Sequence, residues 1–203
     1  VQEKFKSDPY HRFTRGVPPT TKGDTAFLQH MVSVCNERGM VGVVMPHGVL
    51  FRGGSEAAIR QALLEEDLFE AVIGLPEKLF FGTGIPASIL ILNKNKPKHR
   101  KGKVLFIDAS PAGLYHEGKN KNYLRLEDIL RVTAVFNAWN EAGLHEDAIH
   151  TAIDELATQW NEAICMHEDR QLKAAEGQPQ EVIARILDEA GKDKIEIHEA
   201  MRH

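Results

Sequence analysis

Two adjacent phenylalanines, Phe80 and Phe81, open the glycine-rich stretch "FFGTGIP", residues 80–86. Aromatic rings beside Gly82, Thr83, Gly84 and Pro86 have two uses. They can be buried as core, the ordinary fate of phenylalanine. They can also stand at a rim and stack on a nucleobase, a contact that tolerates any base because each base has a π-face. A loop at the carboxyl end of a strand is where open α/β sheets bind ligands, and this loop follows the apolar run "LFEAVIGLP". A second chemically suggestive stretch is "KNKPKHRKGK", in which Lys94, Lys96, Lys98, Arg100, Lys101 and Lys103 place six cations in ten residues. It reads either as a solvated loop or as a phosphate-contacting one, since phosphate neutralisation dominates nonspecific affinity for DNA.

Other constellations are missing. There is no GxxxxGK[ST], no GxGxxG and no GxSxG; Gly82 and Gly84 form only a lone GxG. None of the ten histidines pairs with His, Cys or a carboxylate at metal-site spacing, and His145 and His167 read as surface residues of helical stretches. A hydrolase or metalloenzyme therefore has no support, and no metal is expected. Cys35 and Cys165 form no CxxC and suit a reducing cytoplasm. A net charge of −4 opposes a uniformly basic nucleic-acid binder and leaves room for a local patch. No apolar run approaches the roughly 18 residues of a membrane span, and the polar start "VQEKFKSDPYHRF" is not a secretory signal. The sequence opens at Val1 without Met, so a processed chain or a piece of a longer one is expected.

The elements that must position these residues follow from periodicity. Residues 1–23 carry "SDPY" and "GVPPTTKGD" and read as an extended surface segment. Asp24 is placed to cap a helix with Phe27, Leu28, Met31, Val34 and Cys35 on one face, ended by Gly39. "MVGVVMP" (40–46) is a doubly buried strand stopped by Pro46, and "HGVLFRGG" is a loop. A helix over 55–67 turns Ile59, Leu63 and Leu64 inward, and strands follow at 68–76, 87–94 and 102–110. This is the rhythm of an α/β sheet covered on both faces. The link from Pro76 to Pro86 is too short for a helical crossover, so strands 68–76 and 87–94 form an antiparallel hairpin near the edge of a mainly parallel sheet. Beyond it the pattern is helical, with Leu126, Ile129, Leu130, Val135, Phe136 and Trp139 in one stretch. Ile149, Ala152, Ile153, Leu156, Trp160, Ala163 and Ile164 form a second stripe, "EGQPQ" a break, and Val182, Ile183, Ile186 and Leu187 a shorter stripe. The second stripe packs on its own domain or on a partner. The boundary is expected near residue 143, giving domains 1–143 and 144–203.

Taken together, "GDTAFLQHMVSVCNERGMVGVVMPHGVLFRG", "IRQALLEEDLFEAVIGLPEKLFFGTGIPASILILNK" and "GKVLFIDAS" resemble the modification subunit of type I restriction-modification systems, over roughly residues 8 to 140. That subunit is an S-adenosylmethionine-dependent DNA methyltransferase acting on the exocyclic amine of adenine. The resemblance implies the latter half of a Rossmann-like methyltransferase sheet followed by helices. It implies Phe27, with Asp24 and Pro46, on the side of the methyl donor, and Phe80 against an extruded target base, with Phe81 sharing that task or packing behind. Lys96, Lys98, Arg100 and Lys101 would face DNA. Specificity and restriction subunits are the implied partners, and the cytoplasm the implied location.

The family's glycine-rich donor motif and its Asn-Pro-Pro-Phe or Asn-Pro-Pro-Tyr catalytic loop are not in this sequence. "VPP" at 17–19 is not that loop, because no amide side chain precedes the prolines. No catalytic residue is therefore expected here, S-adenosylmethionine would bind only with the missing half, and the chain alone is expected to be inactive. Past Gly143 the resemblance fades. A non-catalytic scaffold docking a partner through its helical tail is the alternative, and a small-molecule methyltransferase half, with no use for the basic run, is a third reading.

Overall fold

A strand with a continuous apolar middle can lie inside a sheet with a neighbour on each side, and Ile89 to Leu92 give "ASILILN" that character. In the computed structural model, which describes residues 7–139, 143–175 and 180–193, this stretch is β3 (Ala87–Asn93). The other strands are β1 (Met40–Pro46), β2 (Phe69–Gly74) and β4 (Leu105–Asp108). Their order is β1-β3-β2-β4. β3 runs antiparallel to both β1 and β2, whereas β4 runs parallel to β2. Thus β1, β2 and β4 share one direction and β3 alone opposes it. The α/β class and the β2–β3 hairpin match the sequence reading. The reversed strand lies one place in from the edge, between β1 and β2, and so is paired on both sides. A short link fixes only one of β3's partners, and the second depends on side-chain packing around Leu90, which is fully buried.

Among the described residues three α-helices accompany the sheet: α1 (Asp24–Val34), α2 (Gly48–Phe51) and α3 (Ser55–Glu65). Leu28 and Val32 of α1 and Ile59 and Leu63 of α3 join Val41, Val72, Leu90 and Leu92 in one core. The buried stripe of α1 is Thr25, Leu28, Gln29 and Val32, not the expected face, so Phe27 and Val34 are exposed. Gln29 explains the difference: its amide donates to the Gly16 carbonyl at 3.0 Å, which lets a polar residue take a core position. Leu64 is likewise exposed. Asp24 does not cap α1; Gly23 holds the N-cap position and Asp24 is the first helical residue. In residues 7–23, before α1, Pro18 is buried and Arg15 is paired to Glu66.

The chain divides into two compact units, Val1–Leu124 and Arg125–His203. The break expected near 143 left helix α4 (Leu126–Ala138) with the sheet, whereas it groups with α5 (Glu146–Ala174) and α6 (Gln180–Asp193). Small residues let α4 and α5 approach: Ala134 and Ala138 meet Ala152 and Ile153. The α5 stripe is used for this packing only in its first half, since Trp160 remains 41% exposed. The Asp128 carboxylate closes the start of α4 by accepting from the Arg125 amide at 2.9 Å. Among the described residues no helix is long and apolar enough to cross a membrane, and no cluster of His, Cys, Asp and Glu could hold a metal.

The basic run lies at the amino edge of β2 and β4, where it performs structural work. Lys96 is only 5% exposed, and its ammonium reaches Asp67 at 2.6 Å and the Lys103 carbonyl at 2.9 Å. Arg100 pairs at 2.9 Å with Glu70, a fully buried carboxylate that also accepts from the Asn93 amide at 2.9 Å. Glu70 lies at a register shift between Phe69 and Ala71, where a bulge aims its side chain inward. Lys94 donates to the Cys35 carbonyl. Lys94, Lys96 and Arg100 are therefore engaged by the protein itself, and Lys98, Lys101 and Lys103 are exposed. Replacing Arg100 with Ala strands the Glu70 carboxylate. A loss of about 3 kcal/mol in urea-unfolding stability is expected, and a loss below about 1 kcal/mol would contradict the pairing.

Burial pushes the Asp67 carboxyl up, but the Lys96 hydrogen bond, the Gly102 amide and the charges of Lys96 and Lys101 outweigh it and hold it below its ordinary 3.8. A depressed folded-state pKa means stability that is present above 3.8 and lost as pH falls through the folded value. Asp67→Asn should lower the melting temperature at pH 7, and the gap to wild type should close as pH drops below 3.8. A gap independent of pH would remove the carboxylate from the account.

Candidate functional site

β1, β2 and β4 finish at one edge of the sheet, where β3 begins: Pro46 faces Ala87, and Gly74 faces both Ser88 and Asp108. The link from β2 to β3 must therefore lie at this carboxyl edge, and it carries the aromatic pair. Phe80 is 43% exposed and Phe81 80% exposed, with Ile85 open beside them. The rings form a lip and not a core. Gly82 has φ +76, a left-handed conformation that turns the chain just after the rings. Thr83 accepts from the Ile85 amide at 3.1 Å, and the His47 amide donates to the Pro86 carbonyl at 3.4 Å, joining the link to the end of β1.

A distant segment holds the lip in place. Chain leaving β4 returns along the same edge, and Asn122 donates from its side chain to the Glu77 carbonyl at 2.9 Å and from its backbone to the Lys78 carbonyl at 2.8 Å. Lys78 has φ +55, a costly conformation for a residue with a side chain, and the Asn122 bond falls on its carbonyl. Lys121, next to Asn122, sets its ammonium 4.2 Å from the centroid of the Phe81 ring. An antiparallel bridge from His116 to Tyr123, with their rings 4.6 Å apart, closes this segment into a turn. Sequence reasoning missed all of these residues. The one local signal was "HEGKNKNY", a Gly, Asn and Lys cluster with turn chemistry.

The residues expected on the donor side are partly brought together. Phe27 is 63% exposed near the start of α1. Asp24 is bound by Arg52 at 2.8 Å, and Arg52 also reaches Glu56 at 3.2 Å, so the carboxylate ties α1 to the α2–α3 corner. Pro46 ends β1 at the same sheet edge as the aromatic link. Asp108, at the end of β4, is held below the usual carboxylate range chiefly by the Ser110 hydroxyl and amide. Lys96 and Arg100, expected on DNA, are at the opposite edge and occupied.

The fold as a whole finds a counterpart among solved structures. The family described as N-6 DNA Methylase matches residues 1–170. The chain belongs to that family. Among N-6 DNA methylase relatives, the type I restriction enzyme MjaVII methylase subunit of Methanocaldococcus jannaschii is 44% identical over 134 residues, 65% of this chain and 23% of that protein. The HindI methylase subunit of Haemophilus influenzae is 35% identical over 146 residues, 71% of this chain and 32% of that protein. A solved type I restriction-modification methyltransferase subunit from Streptococcus thermophilus aligns with a TM-score of 0.60 and 40% identity, over 66% of this chain and 28% of that one. The chain thus spans about a quarter to a third of the length of these relatives.

The Asn122 clamp gives a direct test of how the lip is held. Asn122→Ala removes one buried hydrogen bond, worth about 1 kcal/mol or roughly fivefold in local opening. Amide exchange within residues 77–83 should accelerate by that factor while the sheet is unchanged. Equal protection in the variant would mean that the lip is held by other contacts.

Proposed function

We propose that this chain forms part of an adenine-N6 DNA methyltransferase of the type I restriction-modification class, supplying sheet strands and the wall of the target-base pocket. The observation that carries this reading is the exposed aromatic lip at the carboxyl edge of a chain from the N-6 DNA methylase family. A base stacked in a duplex hides its amine, so the enzyme must extrude it at a cost of a few kcal/mol. An aromatic face at the rim recovers about 1–3 kcal/mol of that loss. Phe80, half-exposed on the clamped link, takes this role. S-adenosylmethionine, when bound, supplies an electrophilic methyl group on a sulfonium. Of the residues in this chain, Phe27 fits the donor's adenine ring, and Asp24 with Arg52 fixes the helix start that presents it. The glycine-rich donor motif and the catalytic loop come from outside this sequence, and with them the specificity and restriction subunits that complete such systems.

In calorimetry this chain alone should bind no S-adenosylmethionine. Mixed with a polypeptide carrying the donor motif and catalytic loop, it should methylate adenine, and Phe80→Ala should lower that rate by roughly 5- to 150-fold, the equivalent of about 1–3 kcal/mol. Donor binding by the chain alone, or a Phe80→Ala rate equal to wild type, would overturn the reading.

A second reading, a scaffold that docks a partner through its helices, is favoured by one observation: α5 leaves Trp160 and Met166 exposed past its packed half. A monomer in gel filtration with one cooperative melt would count against it.

A further inference from the structure

We propose that the turn Gly118–Lys121 is the DNA-backbone contact of this edge, with Lys119 and Lys121 bonding phosphodiester oxygens beside the extruded base. This inference rests on the base-wall reading above and deepens it. The turn is built tightly. A side chain at Gly118 would collide with the Lys121 carbonyl oxygen, and the His116–Tyr123 bridge closes the base of the turn. Such closure leaves Lys119 and Asn120 exposed at the tip. Asn122 then fastens the turn to the same link that carries Phe80 and Phe81.

Charge around the turn is consistent with this role. Glu77 is paired with Lys78 at 3.6 Å, and Glu117 accepts from the Tyr115 hydroxyl at 3.4 Å. Among the described residues no ion pair joins Lys119 or Lys121 to a carboxylate. Lys121 is held instead by the face of Phe81, a partner that an ammonium can exchange for a phosphate. Phe81 is therefore the resting place of Lys121, and Phe80 is left to meet the base. The run from Lys94 to Lys103 cannot serve this position. It lies at the other end of strands six or seven residues long, roughly 20 Å away, and Lys94, Lys96 and Arg100 are already engaged.

The test is a salt titration of binding between a short duplex carrying 2-aminopurine at the adenine position and this chain mixed with the polypeptide that carries the donor motif and catalytic loop. Each phosphate contact contributes about 0.9 to the slope of log K against log salt. Lys119→Ala/Lys121→Ala should reduce the slope by about 1 to 2, Lys119→Arg/Lys121→Arg should retain it, and Lys98→Ala/Lys101→Ala should leave it unchanged. An unchanged slope in the first variant, a larger loss in the last, or no salt-dependent binding by the wild type would overturn the proposal. Base extrusion is read separately from 2-aminopurine emission. If Phe80→Ala abolishes the emission rise while the lysine variant keeps its slope, this inference fails alone. If Phe80→Ala leaves emission intact, the base-wall reading fails whatever the slope.

Discussion

β3 opposes the direction of both its neighbours, and the remaining architecture follows from that single reversal. A strand so placed must be entered from the edge at which β1, β2 and β4 finish and left at the edge where they begin. The two loops that flank it are thereby sent to opposite ends of the sheet. The aromatic link from Leu75 to Pro86 has only the carboxyl edge available, and the basic run after Asn93 has only the amino edge. Pairing on both sides also satisfies the backbone groups of β3, so the strand can be buried and anchor the core through Leu90 and Leu92.

The two edges then use side chains in contrasting ways. At the amino edge, charge is turned inward. Glu70, Arg100, Asn93, Asp67 and Lys96 satisfy one another in a partly dry setting, where each partner is costly to remove. These contacts fasten the loop before β4 to the bulge in β2. At the carboxyl edge, apolar surface is turned outward. Phe80, Phe81 and Ile85 are exposed on a link that remains ordered through the Asn122 clamp and the left-handed Lys78. Exposed aromatics on a braced loop have little conformational entropy left to lose in any further contact.

The match to the N-6 DNA methylase family runs as far as residue 170, into α5. The small-residue contact between α4 and α5 uses only part of the α5 stripe, leaving Trp160 and Met166 on its later turns exposed. The helical unit is thus a packed body in its own right with apolar surface to spare.

The amino-acid sequence by itself determined the four strands, the longer helices, the antiparallel β2–β3 pair and the family, because each depends on local periodicity, link length or an ordered set of blocks; it read the short helix α2 as a loop and β1 as buried on both faces, whereas Met40 and Val44 are exposed. It also marked Phe80 and Phe81 as unusual, without deciding between core and rim. Tertiary structure decided that question, and it decided the fate of the basic run: Lys96 and Arg100 found carboxylates at Asp67 and Glu70, tens of residues away. The buried face of α1 was misread for a related reason, since Gln29 takes a core position with its side-chain amide on the distant Gly16 carbonyl. Lys121 and Asn122 were invisible as partners of the aromatic link because β4 and its returning chain carry them there. Periodicity records what a residue prefers in its own element; the partner that neutralises a charge or covers a ring is set by how the strands are ordered, and only the folded chain specifies that order.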